Sequence, residues 1–233
     1  MKLAALFEYT FPKIERRNVS KLPKQYHHGS DESPQDYDPE YEPGVMKKGA
    51  KHLGTGHFSS VYTDPKKIPH DVRKVSRARG FREIDGFYHY MKELSKWKDN
   101  GNPYFPRFRS IKIYHGPEGQ VVYSAQMEKL LPAKSGKSER EALFRKIFGD
   151  ENAESYARRH TLTDVLEAVI NGYGNLKDKV IDKDLIAAAA FINRVSTKHN
   201  AGVDVHSENI MFRRSRYGLQ LVITDPLSFS HGG

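Results

Sequence analysis

The sequence predicts an α+β protein, with a β-rich first part and a mainly helical second part that closes on a β-hairpin. Three observations predict it. Short apolar runs punctuated by glycine fill residues 51–75 and 107–127. Apolar residues recur at three- and four-residue steps through much of 138–199, which is the helical period. Residues 202–225, GVDVHSENIMFRRSRYGLQLVITD, then read as loop, short strand, basic turn, short strand and loop.

The bulk properties bound the answer. A chain of 233 residues suits one large or two small lobes. There is no cysteine, which excludes a disulfide scaffold, a thiolate metal site and a cysteine nucleophile, and fits a reducing compartment. No apolar run approaches a membrane span, and residues 1–9 lack the longer apolar core of a signal peptide. A soluble intracellular protein without a membrane partner is expected. The formal charge of +9 favours acidic partners. Because the basic residues are scattered and no aromatic–basic signature is present, nucleic-acid binding is not required.

Residues 1–24 mix apolar and basic residues without a clear period. Residues 25–44 differ sharply. Asp31, Glu32, Asp36, Asp38, Glu40 and Glu42 are uninterrupted by lysine or arginine, and Pro34, Pro39 and Pro43 oppose helix and sheet. A solvated linker is expected there, or an acidic strap lying on a basic surface of the same protein. Ser30, Ser33, Tyr37 and Tyr41 are candidate phosphoacceptors in it.

Folding is expected to start near Val45. Residues 51–62, KHLGTGHFSSVY, read as a glycine turn at Gly54, Thr55 and Gly56 followed by a returning strand, 58–62. Glycines there let backbone approach a ligand and turn its N–H groups toward phosphates. Ser59 stands at the third glycine position of G-x-G-x-x-G. The order is not strand–glycine–helix and no G-K-[ST] is present, which excludes P-loop and dinucleotide-fold readings. Residues 71–75 are a short strand with Lys74 between apolar neighbours. Residues 80–98 have helical period and carry Glu83 and Glu93. Two strands, 107–114 and 120–127, flank the turn 116–119, and 128–132 is a connector. Helices follow at 138–148, at 153–170 with a break near Thr161, and at 182–199 with Asp182 as cap.

The closing stretch carries the chemistry. A hairpin would bring Asp204, Asn209 and Asp225 to one end of a sheet. Asn209 and Asp225 are oxygen donors suited to a hard cation, which leaves Asp204 to orient a hydroxyl.

The order of glycine hairpin, strand lysine, helix glutamate, two strands, connector, helices, D-x-x-x-x-N, strand pair and aspartate resembles the protein-kinase-like fold. Within it, residues 204–212, 223–230 and 53–62 are similar to the early serine/threonine kinases of T-seven-type bacteriophages. The resemblance spans roughly residues 50–231.

It implies a bilobal fold with a β-rich N-lobe and a reduced, mainly helical C-lobe. The parts would be an extension, 1–44; an N-lobe, 45–127; and a hinge with a minimal C-lobe, 128–233. It implies ATP and Mg2+ as cofactors. Gly54, Thr55, Gly56 and His57 would cover the phosphates, and Val61 would line the nucleotide site. Lys74 would contact the α- and β-phosphates, held by Glu83, with Glu93 as the alternative. The hinge, with Glu128 and Leu130, would meet adenine. Asp204 would be the base, Asn209 and Asp225 the magnesium ligands, and His206 would sit near the transferred phosphate.

The resemblance also implies phosphorylation of serine or threonine in host proteins, including transcription and RNA-processing machinery, with autophosphorylation. The setting would be the cytoplasm of a bacterial host. The chain departs from ordinary protein kinases at Gly202, where they carry histidine, and at Pro226, where they carry phenylalanine. Only 226–233 follow Asp225, so control by an activation loop is not expected, and the N-terminal segment is expected to help build the second lobe. A contact-only pseudoenzyme and a small-molecule kinase are the alternative functions.

Overall fold

A computed structural model describes residues 9–18, 50–55, 59–63, 71–76, 86–116, 121–132, 137–173, 175–215 and 218–229. It is mixed α+β, with five α-helices among the described residues. Two compact units are formed. One comprises Phe11–Asp85 and Arg107–Lys129, the other Met1–Thr10, Gly86–Pro106 and Leu130–Gly233.

The first unit is a six-stranded sheet. Its strands are β1 (Ile14–Asn18), β2 (His52–Thr55), β3 (Ser59–Thr63), β4 (Asp71–Ser76), β5 (Phe108–His115) and β6 (Val121–Glu128). Their order is β1-β5-β6-β4-β3-β2. All pairings are antiparallel except β1 with β5. The expected strands 71–75, 107–114 and 120–127 form within a residue or two of their bounds. β1 corrects two expectations, since the fold starts before Val45 and residues 14–18 join the sheet rather than the helical part. Its IERRN sequence has one apolar residue and four exposed positions. An edge strand held by backbone bonds on one side needs no alternating pattern, so none announced it.

The second unit contains α1 (Gly86–Leu94), β7 (Leu131–Pro132), α2 (Lys137–Phe148), α3 (Asp150–Arg159), α4 (Leu162–Asn171) and α5 (Lys183–His199). It closes with β8 (Gly202–Val203), β9 (Ile210–Ser215), β10 (Gly218–Ile223) and β11 (Leu227–Ser228). The connector expected at 128–132 is in part a strand, because Leu131 pairs with Phe212 of β9. The helix expected over 80–98 is shorter at its end. Beyond Leu94 the chain turns, with Lys96 N and Trp97 N donating to Glu93 O and Leu94 O. Residues 95–106 stay with this unit because they bond to the hairpin. Arg213 donates to Pro103 O and Phe105 O, and Ile223 N donates to Tyr104 O. Trp97 stacks on Phe191 at 4.6 Å, and Phe105 and Tyr90 meet the same ring edge-on or tilted.

The break near Thr161 is real and has a local cause. Thr161 Oγ1 accepts from Asp164 N, and the Asp164 carboxylate accepts from Thr161 N, a reciprocal cap that starts α4. Asp182 caps α5 by accepting from Asp184 N and Leu185 N. Its other oxygen accepts from the Tyr104 hydroxyl at 2.7 Å. Buried Leu185, Ala188, Ala189, Ile192 and Val195 give α5 its core stripe. Asn200 then adopts φ 50 and ends the helix, with its N–H on Ser196 O and Thr197 O.

Asp182→Ala removes the cap and an acceptor of the buried Tyr104 hydroxyl together. It is expected to lower stability by about 2 kcal/mol, more than a cap alone, as read from urea unfolding.

Candidate functional site

Four sequence-predicted site residues converge at the end of the β9–β10 hairpin, all within the second unit. α5 ends at His199, and Ser196 Oγ donates to Ala201 O at 2.6 Å, steering the chain into β8. β8 pairs antiparallel with β11, matching Val203 to Leu227 and Gly202 to Ser228. One residue further, Asp204 N donates to Pro226 O at 2.8 Å. This pairing holds Asp204 beside the segment that carries Asp225.

A second tie comes from Asn209. Its carbonyl accepts both the backbone N–H of Thr224 at 2.9 Å and the Thr224 hydroxyl at 3.0 Å. Asn209 N in turn donates to His206 O, closing the loop as a turn. The Asn209 side chain donates from Nδ2 to Asp204 O at 3.0 Å. A carbonyl only accepts, so this bond sets which way the amide faces and leaves its oxygen on the other side.

The Asp204 side chain is 37 % exposed, open enough for a hydroxyl to reach. His206 Nε2 lies 3.7 Å from Asp204 Oδ1. Glu208 N–H donates to His206 Nδ1, which puts the proton of a neutral ring on Nε2, on the side of Asp204. In that tautomer the 3.0 Å approach of Asn209 Nδ2 to Nε2 is a contact between two donors, not a hydrogen bond.

Asp225 is half-buried and shares its surroundings with fully buried Tyr90. Burial, then the negative charge of Asp225, pushes the Tyr90 hydroxyl well above its ordinary range. Tyr90 thus stays a neutral donor, and it donates to Ile223 O at 3.2 Å, two residues before Asp225. The start of α1 also presses on this segment. A Cβ on Gly86 would stand 2.1 Å from Leu227 O, so the helix fits against β11 only with glycine there.

Among the described residues no group of three His, Asp or Glu side chains is placed to hold a metal. Asn209 and Asp225 supply two hard oxygen donors. That set fits magnesium, which is commonly held by one or two protein oxygens and completed by phosphate oxygens and water.

The other predicted residues divide as follows. Lys74 is half-buried on β4, opposite Val61 of β3 and Ala125 of β6. The next matched pair, Val72 with Met127, shares that sheet face, since directly opposed residues point the same way. Lys74 therefore stands at the border of an apolar patch. Gly54 lies in β2, and a Cβ built on it meets no described atom within 4 Å. Thr55 ends β2. Glu128 ends β6, and its Oε1 accepts from Arg107 N at 2.8 Å. Leu130 is buried in the second unit. Gly56, His57 and Glu83 lie outside the described residues, as does the acidic segment 25–44.

The alternative Glu93 is engaged within its own unit. Its carboxylate meets Lys198 at 2.8 Å and Lys96 at 3.2 Å, with His199 at 3.5 Å. Burial alone would raise its pKa, but the hydrogen bonds and charges of Lys198 and Lys96 outweigh that and hold it at about 2.

Three contributors carried no signal in the sequence: Thr224, the Pro226 carbonyl and Gly86. Thr224 reads as an ordinary strand residue. Any residue has a carbonyl, so Pro226 in place of phenylalanine leaves the Asp204 tie intact. No protein-family model matches the chain, and no curated protein matches it either.

Gly86→Ala forces backbone apart at β11. It is expected to cost about 1–3 kcal/mol in thermal unfolding, whereas an alanine at exposed Gly54, with open space above it, is expected to cost far less. Glu93→Gln is expected to lower the melting temperature at pH 7. The depressed carboxyl stabilises the fold above its unfolded pKa, near 4.5, and loses that effect as pH falls toward about 2. The gap between variant and parent should therefore close in melts taken from pH 5 down to pH 2.

Proposed function

We propose that the chain is an ATP- and Mg2+-dependent protein kinase of the bilobal, protein-kinase-like fold, acting on serine or threonine. One observation carries this reading: two independent sets of hydrogen bonds bring Asp204, Asn209 and Asp225 together. This is the trio that phosphoryl transfer needs, a hydroxyl-orienting carboxylate and two oxygen ligands for a cation.

In this reading Asp204 accepts the hydrogen bond of the substrate hydroxyl and takes its proton as the hydroxyl oxygen bonds to the γ-phosphorus of ATP and the bond from that phosphorus to the β–γ bridging oxygen breaks, releasing ADP. Asn209 and Asp225 would hold Mg2+, which when bound would neutralise phosphate charge. His206, with its proton on the Asp204 side, donates toward a phosphate oxygen or the attacking hydroxyl. Lys74 would neutralise the α- and β-phosphates, with Glu83 its orienting carboxylate as the resemblance implies. The resemblance gives Gly54, Thr55, Gly56 and His57 the role of covering the phosphates with backbone N–H groups. Val61 would line the nucleotide site, and the resemblance gives Glu128 and Leu130 to the adenine end. The protein supplies position and charge and little covalent chemistry.

The resemblance suggests host proteins as substrates, the transcription and RNA-processing machinery among them, together with the kinase itself. It suggests the bacterial cytoplasm as the setting. Among the described residues no helix is long and apolar enough to cross a membrane.

The test is transfer of labelled γ-phosphate to the purified chain and to proteins of a bacterial lysate. Asp204→Ala is expected to reduce labelling by about 10²–10⁴-fold, the usual reach of a general base, while ATP still raises the melting temperature in Mg2+. Labelling that survives this change removes Asp204 from its role. Labelling of small hydroxyl compounds but not of proteins favours the small-molecule kinase. No thermal shift at millimolar ATP and Mg2+ favours the contact-only protein.

A further inference from the structure

The β9–β10 ladder ends on an irregular pair. Its last matched residues are Ile210 and Ile223, so the next partners across the hairpin are Asn209 and Thr224. Thr224 N donates to Asn209 O at 2.9 Å. In a regular antiparallel ladder such a pair exchanges two bonds, one from each N–H. The N–H of Asn209 instead donates to His206 O at 2.9 Å, closing the turn of the loop. The ladder alone therefore holds Asn209 by one bond.

The Thr224 hydroxyl takes the place of the missing bond. It donates to Asn209 O at 3.0 Å, so one carbonyl receives two bonds from one residue. Thr224 is only 8 % exposed, and a hydroxyl buried to that degree needs a protein acceptor. A peptide held by one bond can pivot about it. Two donors on one residue fix its direction as well as its place.

Chain adjacency carries this constraint to both oxygen donors. Asp225 directly follows Thr224, and Asn209 is the residue that Thr224 grips. The bonded path between the two donors therefore runs through Thr224. The facing of the Asn209 amide is set separately, by Nδ2 on Asp204 O at 3.0 Å. Such rigidity matters to a cation. Mg2+ takes near-ideal octahedral geometry at about 2.0–2.1 Å, whereas Ca2+ accepts irregular geometry at about 2.3–2.6 Å, so a fixed ligand pair favours the smaller ion.

We propose that Thr224 is a positioning residue, whose hydroxyl fixes the spacing of Asn209 and Asp225 and thereby biases the site toward Mg2+ over Ca2+. The proposal rests on the phosphoryl-transfer reading for the identity of the two ligands. Residue type separates the hydroxyl from the rest of the side chain. Valine has the same branched shape, suits a strand and keeps the backbone bond, but lacks the hydroxyl. Serine keeps the hydroxyl and lacks the branch. Alanine lacks both.

The full chain and its Thr224→Ser, Thr224→Val and Thr224→Ala variants are melted with a non-hydrolysable ATP analogue across titrations of MgCl2 and of CaCl2. The readout is the cation concentration giving half of the full rise in melting temperature. A merely structural role lowers the starting melting temperature and leaves this midpoint in place. Thr224→Val and Thr224→Ala are expected to raise the Mg2+ midpoint about tenfold and the Ca2+ midpoint much less. Thr224→Ser is expected to stay near the parent. An unchanged Mg2+ midpoint in whichever hydroxyl-free variant folds overturns the proposal and leaves the kinase reading standing. So does a serine variant as impaired as valine. A parent that takes both cations alike, or equal rises for both, overturns the bias toward Mg2+. No cation-dependent rise in the parent removes the ligand assignment, and the kinase reading falls with it.

Discussion

The candidate site depends on a backbone clasp. Val203 pairs with Leu227, Asp204 N is held by Pro226 O, and Thr224 binds the carbonyl of Asn209 twice. Thr224, Pro226 and Leu227 are buried, so a main-chain group there left without its bond costs more than the bond gains. Each also joins the loop after α5 to the strand end at Asp225. Acidic and amide side chains distant in sequence are thereby brought to one place, with Asp204 still open to water.

The clasp is supported from both sides. α5 delivers the loop, fixed at its start by Asp182 and at its end by the left-handed Asn200. α1 supports the Asp225 segment through three contacts. Gly86 lies against Leu227 O, the Tyr90 hydroxyl binds Ile223 O, and the rings of His89 and Phe229 meet at 5.3 Å. Glu93 then joins α1 to the end of α5 through Lys198. The helix that the sequence assigned to the β-rich part is thus built into the helical unit. This makes the Asp225 segment a packed part of its unit.

Much of this was legible in advance. The strands of 71–75, 107–114 and 120–127 were carried by short apolar runs between turn residues. Helix 182–199 was carried by a cap and a stripe, and a break was expected near Thr161, where the structure adds the capping pair with Asp164. These are local effects, set within a few residues. β1 was not legible, because its exposed IERRN sequence is a strand only by virtue of its neighbour β5. The shorter α1 was not legible either, since the residues after Leu94 keep helical spacing but bond instead to the hairpin.

At the site, the sequence by itself determined which groups are available: Asp204, Asn209 and Asp225 at the ends of two short strands, with Lys74 on another. Residue type and spacing suffice for that, because they fix charge, donor atoms and strand phase. Only the tertiary structure decided that Thr224 and a proline carbonyl hold the three together, that Glu93 is taken up by Lys198, and that Gly86 must be glycine. Those are encounters between segments far apart in the chain, and backbone atoms common to every residue make many of them. No residue type announces such a contact before the chain has folded.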